Sequence, residues 1–184
     1  MATLRTTIQR RILAVLGACL LAGANPGSGQ PVPDAGALEL AFLYNFTKFV
    51  DWPETSLADR AEFELCILGD DPFGPALDAL NGRTVRDKPV RISRPRSAQA
   101  LLKCQLVYVG PSEGWRLRQI LQEIGKAPIL TVSTLEEFAE QGGTIRQFWE
   151  NDRPRFEVNL AAARRSGLAL SSKLLELAAR ILRE

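Results

Sequence analysis

The chain contains no histidine. That removes the commonest general base, the commonest metal ligand and every Ser-His or Cys-His nucleophile pair. No carboxylates cluster at metal-ligand spacing, and Asp70-Asp71 reads as a turn at a strand end. An enzyme built on lysine or on two carboxylates stays formally open, yet no residue pattern points to one, and neither a metal nor a cofactor is expected. An excess of charge of one sign is also lacking. The formal net charge is +2, and without Arg5, Arg10 and Arg11 the remainder holds 20 basic against 21 acidic residues. That balance leaves no footprint for nucleic acid or for an anionic membrane surface. The apolar run at 12–24 is too short to cross a bilayer core of about 30 Å as a helix.

What that run does fit is a leader. Arg10-Arg11 closes a basic segment, the apolar run follows, and Ala22-Gly23-Ala24 suits small-x-small cleavage, so 1–24 reads as a signal peptide. Leu16-Gly17-Ala18-Cys19 competes as a lipobox that would leave a lipoprotein acylated at Cys19. The apolar residues continue past Cys19, which favours the soluble exported form. The Gly/Pro-rich stretch 25–34 reads as a flexible linker, and 35–184 as one domain. Cysteines are few, and Cys66 and Cys104 alone remain after processing. In an oxidising compartment an even pair reads as a disulfide ahead of free thiols or a metal site. Two buried, unpaired cysteines are the alternative.

The most conspicuous stretch is LELAFLYNFTKFVDWP at 38–53. Phe42, Phe46 and Phe49 recur at i, i+4 and i+7, the spacing of one helical face, and Asp34 is placed to cap a helix running to about Asp51. Ala41, Tyr44 and Val50 widen the apolar arc beyond one contact face, with Asn45 and Lys48 among them. The stripe therefore suits a core helix, with surplus aromatic surface for a partner or ligand.

Beyond it, short apolar runs at 63–69, 90–93, 105–110 and 128–132 read as strands. Helices are expected at 73–80 (Pro72 near its start), from Ser97 to Lys103, from Ser112-Glu113 to Ile124 and over 135–141, with Ser133 or Thr134 as the last cap. That alternation predicts βα units and a mostly parallel sheet flanked by helices on both faces. Residues 144–149 and 155–158 around Asn151-Asp152 then read as a hairpin that gives the sheet an antiparallel C-terminal edge. A helix at 159–165, a break at Gly167 and a final helix from Ser171 to about Arg183 complete the chain.

Gly69-Asp70-Asp71-Pro72-Phe73-Gly74 links a strand to a helix, as phosphate-binding loops do. It lacks Lys-Ser/Thr after the second glycine, and Asp71 stands where a dinucleotide fingerprint needs glycine. Its two acidic side chains would repel phosphate. In the C-terminal block, Arg164 and Arg165 precede the break and Leu168 and Leu170 follow it. That mixture suits a protein-binding surface, while basic residues closing a helix serve its dipole equally well.

Three blocks in order, AFLYNFTKFVDWP at 41–53, CILGDDPFG at 66–74 and FEVNLAAARRSGLALSSKLL at 156–175, resemble the YfiR family of periplasmic regulators. The resemblance covers the chain after residue 35. It implies a compact α/β domain, often a dimer, that holds an inner-membrane diguanylate cyclase inactive by binding its periplasmic domain, which lowers cyclic di-GMP and restrains biofilm formation. It also implies that Cys66 and Cys104 match a disulfide pair of the family. A second pair found in some members has no counterpart in 142–158, which puts redox sensing through that pair in doubt. The partner-binding candidates it points to are Glu157, Asn159, Arg164, Leu168 and Leu170, then Phe46, Lys48, Phe49 and Trp52. A small-molecule-binding sensor subunit, its ligand at the C-terminal edge of the strands and its partner a histidine kinase or transporter, is the second reading.

Overall fold

The computed structural model describes residues 35–184. The signal peptide, the linker, Cys19 and the Asp34 cap lie outside the described residues. Among the described residues the chain opens with α1 (Ala35–Phe46), β1 (Val50–Asp51), α2 (Glu54–Leu57) and β2 (Phe63–Leu68). It continues through α3 (Pro75–Asp78), β3 (Thr84–Val85), β4 (Lys88–Ser93), a 3-10 turn at Gln99–Lys103 and β5 (Leu106–Val109). A second 3-10 turn (Pro111–Arg116) leads into α4 (Leu117–Ile124), β6 (Leu130–Ser133) and the hairpin β7 (Ile145–Glu150) and β8 (Arg153–Asn159). The last elements are α5 (Leu160–Arg165), β9 (Ala169–Leu170), α6 (Ser172–Leu177) and β10 (Arg180–Leu182).

The expected fold class is what forms. Eight strands lie in the order β10-β8-β7-β6-β5-β2-β4-β3, with β2, β4, β5, β6 and β7 paired in parallel and β7 with β8 antiparallel. LVYV is a continuous apolar strand, and FELCIL is apolar but for the half-buried Glu64, because both faces of the sheet are covered. Phe63, Leu65, Ile67, Leu106 and Tyr108 point to a layer containing α1, α3 and α6. Cys66, Leu68, Val107 and Val109 point the other way, to α4. In that second layer Cys66 of β2 is joined to Cys104 by a disulfide. The hairpin turns on Asn151 and Asp152, both at positive φ (51° and 55°), residue types that tolerate the left-handed region such a turn needs.

Several expected elements differ, each for a local reason. Helix α1 ends at Phe46, where Thr47 Oγ1 donates back to Tyr44 O at 2.6 Å and Phe49 N bonds Phe46 O. Val50 is then free to enter a separate two-stranded ribbon, opposite Leu170 of β9. Residues 135–141 form a chain of turns rather than a helix, with Glu137 at φ 55° and Phe138 fully buried; core insertion of that ring outweighs local helix propensity. Pro75, not Pro72, begins α3, behind Gly74 at φ 53°. Ser97 caps nothing, since Ala98 precedes the 3-10 turn and no side chain bonds its end. The final helix stops at Leu177, and Arg180 pairs beside Glu157 in an added parallel strand. That strand lies outside the hairpin. A buried carboxylate needs a cation, and Arg180 supplies it.

Candidate functional site

The structure sorts the nine partner-binding candidates into interior and surface. Phe46 and Trp52 are buried, and Trp52 Nε1 donates to Gln105 O at 3.2 Å while its ring stands edge-on to Phe63. Leu168 is likewise in the core. Glu157 is buried, its carboxylate bonded by Arg180 Nε at 2.8 Å and faced by Arg146 Nη1 at 3.5 Å. Asn159 is the N-cap of α5: its Oδ1 accepts from Ala162 N at 2.7 Å and its Nδ2 donates to Ala139 O at 2.6 Å. These five side chains lie inside the fold of the chain as it stands, not on its surface, although Glu157 Oε1 has no hydrogen-bond partner there. Lys48 and Arg164 are exposed, and Phe49 and Leu170 half-buried. The β1–β9 ribbon brings the last two together, for Ser171 N bonds Phe49 O at 2.9 Å next to the Val50–Leu170 pair.

The surplus aromatic surface of α1 is real and has a location. Phe42, Asn45, Phe46 and Phe49 form one wall of a groove of about 320 Å³, with Phe156 of β8 at its base and Leu174 and Leu177 of α6 opposite. The rings of Phe42, Phe46 and Phe156 meet edge-on at 5.1–6.2 Å between centroids, a geometry favoured by the ring quadrupoles. Ser171 starts α6 by accepting from Leu174 N at 3.2 Å, which sets Leu174 inward and leaves Leu177, one turn on, 67% exposed. Covering a leucine so placed is worth about 1.5–3 kcal/mol to an incoming partner. Sequence reasoning identified the α1 wall but missed Phe156, Leu174 and Leu177. The i, i+3 leucine pair in α6 was the available signal.

The place where an open α/β sheet usually binds ligands is shut. The strand order reverses between β2 and β5, so the crevice beyond their C-terminal ends would be the natural pocket. There Asp70 N donates to Ser112 Oγ at 2.9 Å, so Ser112 ties the two loops together instead of capping α4. A Cβ on Gly69 would fall 2.5 Å from Ser112 Oγ, and one on Gly110 would fall 2.4 Å from Asp70 O. Only glycine permits that approach. Asp71 is also spent, its Oδ1 accepting from Phe73 N at 2.9 Å and its Oδ2 pairing with Arg94 at 2.8 Å. The Asp71 hydrogen bond holds Arg94 above the ordinary arginine value. Ser133 Oγ accepts from Leu135 N and donates to Val109 O, closing the neighbouring loop.

A second ionic group sits where β10 joins β8. The Arg180 hydrogen bond pulls Glu140 below the usual carboxylate value, and Glu140 with Glu157 raises Arg180 in return. Arg180 thereby clamps the C-terminal strand across two carboxylates. Burial pushes the Tyr108 phenol up, inside the aromatic layer against Phe73. Among the described residues no three His, Cys, Asp or Glu side chains are grouped to hold a metal ion, and no helix is long and apolar enough to cross a membrane.

Comparison with known proteins adds two findings. A model of the family described as YfiR/HmsC-like matches residues 36–179. The crystal structure of a conserved domain protein from Vibrio cholerae O1 biovar El Tor is similar in fold, at TM-score 0.51 and 8% identity over 80% of this chain. This chain spans about 60% of that protein's length, and the likeness is one of fold alone.

Proposed function

The chain belongs to the YfiR/HmsC-like family, and from that premise we propose that it is a non-catalytic repressor of an inner-membrane diguanylate cyclase. The family's role is periplasmic regulation in cyclic di-GMP signalling, regulatory rather than catalytic. On this reading 1–24 is a signal peptide, 25–34 a linker and 35–184 one domain that binds the cyclase's periplasmic sensor domain. Repression is then a population shift: the regulator binds the inactive conformation of the sensor more tightly than the active one, and the difference in affinity sets how far the equilibrium moves.

The observation that supports a docking role is the open aromatic groove between α1 and α6, with Leu177 at its lip. Phe49, Leu170, Lys48 and Arg164 remain the candidates from the original set, the first two adjoining the groove through the ribbon. The disulfide between Cys66 and Cys104 accords with export. The test is cellular cyclic di-GMP with and without the gene in its own host. A rise on deletion that disappears when a membrane cyclase gene is also deleted supports the reading; an unchanged level overturns it. Leu170→Glu should restore the high level while leaving the circular dichroism spectrum intact. The homodimer that the family also implies is checked separately by sedimentation velocity on the purified domain.

A further inference from the structure

A cleft of about 450 Å³ that shares no lining residue with the aromatic groove runs between α4 and α5 beside the turn at 140–142. Arg118 and Gln122 line one wall, Arg165 and Ser166 the other, and Gln141 the floor. Among the described residues none of these five side chains makes a hydrogen bond or an ion pair. All five can donate. The one carboxylate lining the cleft, Glu140, is already held by Arg180. Four of the five, all but Ser166, are exposed, and a concave site whose donors have no protein partner and whose carboxylate is ion-paired is complementary to a ligand rich in acceptors.

The position of Arg118 points the same way. It lies in the first turn of α4, the positive end of the helix, where a cation is unfavourable for the helix itself. Arg165 in the last turn of α5 serves that helix's dipole, but its partner-free guanidinium also faces the cleft. Two guanidiniums lining one cleft, with amide and hydroxyl donors beside them, supply the group types with which arginine forks grip planar or tetrahedral oxyanions.

We propose that this cleft binds a small polyanion, carboxylate or phosphate in chemistry, bridged between Arg118 and Arg165 and oriented by Gln122 and Gln141. The site is separate from the partner groove and does not depend on the cyclase assignment. Isothermal titration of the purified, oxidised protein with inorganic phosphate and, in a second series, with citrate tests it. At least one probe should bind saturably at one per chain, and the tighter of the two identifies the phosphate or the carboxylate class. Arg118→Ala and Arg165→Ala should each weaken binding about tenfold or more, Arg118→Lys should restore part of it, and Arg96→Ala, an exposed arginine elsewhere, should change nothing. Circular dichroism of each variant verifies folding. The proposal is overturned if neither probe saturates at about 10 mM, roughly the weakest range of specific binding. It is equally overturned if Arg96→Ala weakens binding as much as the two cleft variants do.

Discussion

On one face of the sheet α1, α3 and α6 bring Leu43, Phe46, Leu77 and Leu174 against Phe63, Tyr108 and Phe156. On the other, α4 brings Leu117, Ile120 and Ile124 against Val107, Val109 and the Cys66–Cys104 disulfide. The same strands serve both layers, because successive side chains alternate between faces. What differs is how each layer is closed. The α4 layer is aliphatic apart from Phe138 and is stapled within one continuous stretch of chain. The aromatic layer draws on the described chain from Leu40 to Leu174 without a covalent tie, and it leaves the aromatic groove. The two layers thus differ in what holds them: one carries the covalent staple, and the other relies on packing alone and leaves aromatic surface open in the groove.

The division can be broken most directly at the staple. Replacing both cysteines (Cys66→Ala with Cys104→Ala) should lower unfolding free energy by about 4 kcal/mol for this loop length, measured by urea denaturation; a loss below about 1 kcal/mol would mean the α4 layer does not need its cross-link. On the aromatic face, Phe46→Ala should cost about 3 kcal/mol, the low end for a buried phenylalanine, because one wall of its site is the groove and already open. Arg180→Ala sharpens the comparison at the C-terminal clamp. Glu140 is depressed in the folded state by Arg180, so the clamp's contribution is present above the ordinary carboxylate value of 4.5 and is lost as pH falls below it. Thermal melts of wild type and variant should therefore differ most near neutral pH and converge on acidification. The smallest stability effect belongs to Leu177→Glu, under about 0.5 kcal/mol at an exposed site. If capture of a cyclase periplasmic domain survives that change, the groove is not the docking surface.

The sheet was legible because its central strands, FELCIL and LVYV, are buried on both faces and so read as apolar runs interrupted only by Glu64, and because Asn151-Asp152 marks its own turn. The ribbon and the outer strands β3 and β10 escaped notice for a physical reason. Two or three residues cannot display a period, and such strands exist only through the tertiary partners they find. Phe138 shows the opposite failure, a local pattern that suggested a helix until a ring had to be inserted into the core. The site was harder still. In FEVN the alternation places Glu157 and Asn159 on one face, but nothing local says whether that face is wet. Its covering groups, Arg180 and the Ala139 carbonyl, come from distant parts of the sequence. A charged residue in a conspicuous motif therefore reads as an interaction point, and the fold places it inside, paired with Arg180.

The pairing of Val50 with Leu170 carries a consequence for how the molecule comes into being. Those two residues enclose nearly the whole sheet between them, and bringing together such distant positions costs chain entropy that only a largely formed interior can offset. The ribbon, and with it the placement of Phe49 and α6 around the groove, is therefore expected to form after the sheet, which a low φ-value for Leu170→Ala would check. A chain truncated before residue 170 retains every residue of the α4 layer and loses the α6 wall of the groove. The groove is thus complete only once the segment carrying Leu174 and Leu177 has packed opposite α1.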